Sequence, residues 1–350
     1  MKNDLYIGND VGKRISVLCA VVKQTGEIVL SGKRGPTNDV DGWRQILADL
    51  REKYVLHIAF EIGPHYDWMY DLFKEFAAEV VVVNPALFGV ISKSQKKTDK
   101  VDARKLAEGL LRGDLPDVFV PDKATRADRR LVSFVHYSSR QLSSLKGRLR
   151  ALLQAFRVEF PRTNILSKSA VLWLKEKARP QLDADAQLML DLLLEHAALL
   201  KQQRAQLDAK VKERVQRYPE AALVQSVPGF GPLVSLAVLC AIAGISRFEE
   251  PRQLSSYLGV CNGIRQSGQA LVFTGLTKAG NPHVRWLLAQ ALLHVFRKDP
   301  KARARYLKLK RRKGCGVARG AMMRWLTVIL WHVLTKREPY RLGGKQQKGA

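Results

Sequence analysis

Residues 5–22 read LYIGNDVGKRISVLCAVV. The apolar start, LYIGND, has the composition of a short strand that ends on an acid, Asp10. Ile15 to Val22 is β-branched and apolar, a second strand. Thr25-Gly26 is a turn signal, and residues 27–31, EIVLS, follow it as a third strand in a hairpin with the second. Further out, residues 40–52 carry Trp43, Ile46, Leu47 and Leu50 at helical spacing. Residues 55–60, VLHIAF, are a strand that delivers Glu61 at its end. Residues 66–77 read as a helix, and 79–83, EVVVV, as a buried strand stopped by Asn84-Pro85. After Lys96-Lys97-Thr98, a helix from about Val101 to Arg112 closes the series.

The order is β-β-β-α-β-α-β-α, that of the ribonuclease-H-like fold, over about the first 115 residues. Active carboxylates of that fold lie on the first strand, at the end of the fourth strand and on the closing helix. This chain has acids at all three places: Asp10, Glu61, and the pair Asp99 and Asp102. The pair is three residues apart, so on a helix the two share a face. Gathered carboxylates repel one another unless a cation neutralises them. Hard divalent ions take oxygen ligands, and two of them can activate the attacking oxygen and stabilise the leaving oxygen of a phosphoryl transfer. Each acid alone reads equally as a cap, an ion pair or a solvated charge; the argument rests on the set. Asp4, Asp67, Asp71 and Asp114 do not fall at those places.

The chain has 350 residues, 46% of them apolar, which is enough for two or three domains with real cores. Fifty-nine Lys and Arg stand against 32 Asp and Glu, a net charge of +27. Such a field favours a polyanion, because each phosphate neutralised releases condensed counterions. Lys13, Lys97 and Lys100, beside the acids, are candidates to hold a nucleic-acid strand. Cys19, Cys240, Cys261 and Cys315 are widely spaced, so they read as reduced thiols rather than a zinc site or a disulfide framework. The first ten residues lack a signal-peptide layout, and Trp325 to Leu334 is too short for a membrane span. The expected location is the cytoplasm, associated with the nucleoid, with no membrane partner.

From about Arg126 to Pro219 the chain is helical, residues 116–219 forming a linker and dimerisation region. Leu193, Leu200 and Leu207 repeat every seven residues, with Leu190, Ala197 and Val211 on the neighbouring seam and Arg204 interrupting it. This reads either as a coiled coil or long hairpin, or as an ordinary amphipathic helix packed within the chain. Residues 220–340 form a third, mostly helical region, and 341–350 a disordered tail. Pro228 to Pro232 is a tight turn resembling that of a helix-hairpin-helix, in which amides near Gly229 and Gly231 can meet phosphate; a plain helix connection reads equally well. A Gly-rich loop then carries Arg265-Gln266-Ser267-Gly268, where glycine lets a phosphate approach an exposed serine hydroxyl. Lys278 and Arg285 flank the helix that opens at Asn281-Pro282 and are candidate phosphate ligands. His283 and His294 read as structural. The run Lys301 to Lys313 holds Arg303, Arg305, Lys308, Lys310, Arg311 and Arg312, with Tyr306 interleaved, and reads as a nucleic-acid contact.

Several segments together resemble the insertion-sequence one-ten family of transposases, whose relatives include Piv-type DNA invertases. They are IGNDVGK, FEIGPHYDWMYDLF, VVNPALFG and KKTDKVDARKLAEGL, then LVQSVPGFGPLVSLAVL, RFEEPRQLSSYLGV and RQSGQALVFTGLTKAGNPHVRWLL. The match runs in order over nearly the whole chain. The resemblance implies a RuvC-like domain over residues 1–115 that binds magnesium through Asp10, Glu61, Asp99 and Asp102. It implies a C-terminal transposase domain with Ser267 as nucleophile, giving a covalent phosphoserine, and exchange through a Holliday junction. It implies dimers that pair into tetramers with composite sites, and a bridge RNA that chooses target and donor DNA. Asn9 departs from the family pattern, which more often has a small or apolar residue there; its place next to Asp10 points to the second shell of the metal. Cys261-Asn262-Gly263 departs too, since a proline often lies there. Two other readings share these residues: a RuvC-like junction nuclease using water, and a nucleic-acid-binding protein without chemistry.

Overall fold

In a computed structural model, the chain is described for residues 2–84, 87, 98–161, 164–267 and 270–342; for 33, 34, 36, 265–267, 270 and 271 the backbone alone is described. It divides into two compact units, Met1–Val120 and Pro121–Ala350.

In the first unit, β1 (Asn3–Val11), β2 (Ile15–Val22), β3 (Ile28–Thr37), α1 (Val40–Lys53), β4 (Tyr54–Glu61), α2 (Tyr66–Phe76), β5 (Glu79–Val83) and α3 (Asp99–Arg112) follow the expected order. The strands form one sheet, β3-β2-β1-β4-β5. β1 is antiparallel to β2 and parallel to β4, and β4 is parallel to β5. Two boundaries differ from expectation. β3 runs on to Thr37, because its pairing with β2 shifts register three times and so hides the period-2 pattern that marks a strand. α3 starts at Asp99 rather than Val101, because Thr98 caps it: the Thr98 hydroxyl accepts from the Val101 N–H at 3.3 Å.

Alternation along the strands gives the sheet two apolar faces. Leu5, Ile7, Leu18, Ala20, Leu56, Ile58 and Phe60 pack on Trp43 and Leu47 of α1 and on Met69, Leu72 and Phe73 of α2. The aromatic rings of Trp43 and Phe60 meet Phe73 at centroid distances of 5.0 and 5.3 Å. The opposite face carries Tyr6, Cys19, Val21, Ala59 and Val83, covered by Ala103, Leu106, Ala107 and Leu110 of α3.

In the second unit, α4 (Lys123–Ala155) and α6 (Ala184–Val215) form an antiparallel hairpin, with short α5 (Lys168–Trp173) between them. Leu145, Leu149 and Leu153 pack with Ala186, Leu190, Leu194 and Ala197, while Val132 and Val135 share a core with Val211 and Val215. The heptad seam of Leu190, Ala197 and Val211 is therefore buried inside the chain. Arg204 fits this seam because its guanidinium donates to Ser139 of α4 and pairs with Asp208 at 2.8 Å. Asp128 of α4, 2% exposed, is held by Tyr218 at 2.8 Å and Arg214 at 3.3 Å.

The core that holds Val211 and Val215 continues through α7 (Ala221–Gln225), α8 (Pro232–Ile242), α9 (Pro251–Tyr257), α10 (Pro282–Lys298) and α11 (Pro300–Lys336). Arg129 of α4 donates to the carbonyls of Cys240 and Ala241, closing the C-terminal end of α8. β6 (Asn262–Ser267) and β7 (Ala270–Leu276) form a separate antiparallel hairpin. The four cysteines are free thiols. No helix among the described residues is long and apolar enough to cross a membrane.

Candidate catalytic carboxylates and nucleic-acid interface

The register places two of the four acids directly. Asn9 pairs with Phe60 across parallel β1 and β4, so Asp10 and Glu61, one residue further, stand side by side at the C-terminal ends of the two strands. By alternation both belong to the face that α3 covers, the face of Tyr6, Gly8 and Ala59.

Gly8 sets how closely α3 lies on that face. A Cβ at this position would come within 2.0 Å of the Ala103 carbonyl oxygen and 2.4 Å of the Ala107 nitrogen. α3 crosses β1 in the reverse direction: Tyr6 clusters with Leu106 and Leu110, while Gly8 lies against Ala103, Leu106 and Ala107. Two residues of strand advance about 6.6 Å and one turn of helix about 5.4 Å. The step from Gly8 to Asp10 is therefore matched by the step from Ala103 to Asp99. Asp99 and Asp102 also continue the i, i+3, i+4 stripe of Ala103, Leu106, Ala107 and Leu110 that faces the sheet. Backbone geometry thus places Asp10 and Glu61 at one end of this face, and the first turn of α3 runs toward that end.

Asp10, Glu61 and Asp102 are half-buried, and Asp99 is exposed. Asp102 has a loose partner in Lys105 at 3.9 Å. Among the described residues, no three Asp, Glu, His or Cys side chains are gathered closely enough to hold an ion. The donor chemistry suits a hard divalent cation, since all four are carboxylates. Acids in the first turn also favour the helix dipole, so Asp99 and Asp102 stabilise α3 in any case.

Asn9 is a correction. It is fully buried, and alternation sends it to the opposite face, toward the α1 and α2 core, away from the acids. Its Oδ1 and Nδ2 are buried without a hydrogen-bond partner among the described residues. Being next to Asp10 in sequence does not make it a neighbour of the site, because adjacent strand residues point to opposite faces.

The candidate basic residues fall into different settings. Lys13 lies exposed in the β1–β2 turn, where its carbonyl meets His65 Nε2 at 3.1 Å. Lys100 runs its stem over Gly32, a glycine at φ 63°. Lys97 lies outside the described residues, as do the side chains of Arg265 and Ser267. Ser267 ends β6 opposite Ala270, so the expected Gly-rich loop is a strand hairpin, with Ile264, Val272 and Phe273 exposed along it. Lys278 is exposed at φ 57°. The Arg285 guanidinium donates to the Gly280 carbonyl, and burial lowers its pKa. In the Pro228–Pro232 turn, Gly229 at φ 87° lies against Ala291 of α10, Phe230 is buried, and Gly231 caps α8 with open space beside it. Arg303, Arg305, Lys308, Lys310, Arg311, Arg312 and Lys313 are exposed on the first half of α11. Tyr306 among them is half-buried and stacked on Phe296 at 4.6 Å.

One polar cavity lies on residues absent from the expected set. It has a volume of about 500 Å³ and is lined by Ser133, His136, Tyr137, Arg140, Gln141 and Ser144 of α4 and by His283 of α10. The α4 residues recur at helical spacing on one face, a pattern visible in sequence. Their pairing with His283, some 140 residues away, is not. Burial lowers the pKa of His136 and of His283, and Arg140 lowers both further; His136 is also lowered by His283.

This chain is similar to known proteins over most of its length. Residues 7–158 match a family model described as "Transposase", of the DEDD type in IS110 elements. Residues 221–307 match one described as "Transposase IS116/IS110/IS902 family". The "Transposase for insertion sequence element IS1111A" of Coxiella burnetii is 27% identical over 358 residues, covering 98% of this chain and 93% of that protein. The protein named "Putative transposase y4qE", of Sinorhizobium fredii, is 26% identical over 292 residues, covering 82% and 70%. With residues 7–158 and 221–307 matched in order, this chain belongs to the IS110 family of transposases, enzymes of insertion-sequence DNA recombination.

Proposed function

We propose that this transposase exchanges DNA strands at the ends of an insertion sequence, with Ser267 as nucleophile and Asp10, Glu61, Asp99 and Asp102 as a magnesium site in a RuvC-like domain. The supporting observation is the antiparallel crossing of α3 over β1 at Gly8, which carries Asp99 and Asp102 toward the end where Asp10 and Glu61 emerge. Magnesium held there would supply charge neutralisation at the scissile phosphate and ease loss of a proton from the attacking hydroxyl. The Ser267 oxygen bonds to phosphorus, the bond from phosphorus to the leaving sugar oxygen breaks, and the proton released by serine matches the one that oxygen takes up. Attack by the sugar hydroxyl of the exchanged strand then reverses the step and frees the serine. No energy source is needed, because one phosphoester bond replaces another.

Partner choice belongs to the same proposal. A bridge RNA selects target and donor DNA. The basic face of α11, Lys13 and Lys100 hold phosphates, and the protein works on the nucleoid in the cytoplasm. Subunits pair into dimers and then tetramers, supported by the outward face of α6, where Leu188, Met189, Leu192 and Leu199 are 51–59% exposed.

The test incubates protein, magnesium, element-end DNA and RNA, and looks for a covalent protein–DNA adduct. Ser267→Ala and Asp10→Asn should each abolish the adduct and the recombinant product. Normal recombination by Ser267→Ala would refute the nucleophile. The acids lie in a compact unit of their own, which favours a second reading, a junction nuclease using water. That reading predicts free 5′-phosphate ends, no adduct, and full cleavage by Ser267→Ala.

A further inference from the structure

The cavity between α4 and α10 has a chemistry of its own. Its volume, about 500 Å³, falls in the range of about 300–1,000 Å³ typical of ligand sites. No carboxylate is among the described residues that line it, and Arg140 is its charged group. The cavity therefore selects for an anion. Ser133, Gln141 and Ser144 add hydroxyl and amide groups that both donate and accept. His136 and His283, whose rings lie 4.1 Å apart, each offer a donor and an acceptor when neutral, the state their lowered pKa values favour at pH 7. His136 Nδ1 is buried without a hydrogen-bond partner among the described residues.

The aromatic content narrows the ligand further. Tyr137 lines the cavity and is 54% exposed; Phe134, 55% exposed, stacks on it at 5.8 Å with an interplanar angle of 27°. Trp286, 43% exposed, packs edge-on against His136 at 5.3 Å. Exposed flat rings beside a lone guanidinium and a set of neutral donors and acceptors form a base-stacking platform with a phosphate anchor. A duplex keeps its base faces stacked and cannot use such a platform; an unpaired strand can.

We propose that this cavity holds one unpaired nucleotide of a nucleic-acid strand, its base on the Tyr137 ring and its phosphate on Arg140. This rests on the nucleic-acid reading above but not on Ser267 or the four acids, so it is tested by binding alone. The full-length chain is titrated with labelled unpaired DNA and unpaired RNA of about 15 nucleotides, and with a duplex of the same length. Tyr137→Ala should weaken binding of the unpaired strand by about 5- to 150-fold and leave duplex binding unchanged. Tyr137→Phe should restore it. Arg140→Gln should make the salt dependence of unpaired-strand binding shallower by about 0.7 in the log–log slope. Whichever of DNA and RNA shows the larger Tyr137→Ala loss is the source of the nucleotide. Tyr137 is exposed on a helix, and unchanged melting of the variant excludes misfolding. Wild-type affinity in Tyr137→Ala, an equal loss on the duplex, or no binding of either unpaired strand by the wild type would overturn the proposal.

Discussion

Gly8 and Asn9 are neighbours on β1 with opposite demands. Gly8 has no side chain because the backbone of α3 occupies the space, 2.0 Å from where a Cβ would be. No rotamer relieves a clash with backbone, so Gly8→Ala must push α3 off the sheet. We expect a loss of about 3 kcal/mol or more in urea denaturation, together with a loss of recombination as the acids separate. Gly147, in α4, has open space at the same test, and Gly147→Ala should stabilise by about 0.8 kcal/mol through helix propensity. Asn9 is fully buried, and both its polar side-chain atoms lack a partner among the described residues. Asn9→Val removes those groups and suits a strand, so its urea midpoint should rise, by about 1–2 kcal/mol in stability. A lower midpoint would mean that the amide is satisfied by bound water.

At the scale of elements, the crossing of α4 and α10 carries a pH signature. His136 and His283 are held below the usual histidine range, by burial first; His332 of α11 is lowered in the same way, by burial and then by Lys336. The unfolded chain therefore binds protons more readily than the folded one as pH falls through about 6.5, the ordinary histidine value. The native state loses stability in that direction and regains it above. Denaturation midpoints at pH 7.5, 6.5 and 5.5 should decline in that order, and the decline should be smaller in the double variant His136→Gln, His283→Gln. An identical profile in that variant would remove the histidines as its cause. The α4–α6 hairpin makes a related point: a seven-residue repeat is compatible with a partner chain or with an in-chain neighbour, and Ser139 opposite Arg204 settles it for the buried seam.

For the molecule as a whole, the charge of +27 has one dense outlet on the exposed first half of α11. Each phosphate contact there contributes about 0.9 to the log–log slope of duplex affinity against salt. Changing Arg303, Arg305, Lys310 and Arg312 together to Gln should therefore flatten that slope by as much as about 3.6. It should weaken specific and random duplexes alike, since phosphate contacts carry no sequence information. A slope equal to wild type would place the duplex elsewhere on the surface.

Strand and helix order in the first unit, the four acids at their places along it, and the family itself could be read from the linear chain. Those features depend on local alternation, on capping and on short motifs whose meaning lies within a few residues. Folding alone decided the rest. It extended β3 through irregular pairing and turned the loop before Gly268 into a strand. It also joined His136 to His283 around a cavity. Each of these depends on which distant backbone comes to lie alongside, and side-chain periodicity in one segment carries no record of its neighbour in space.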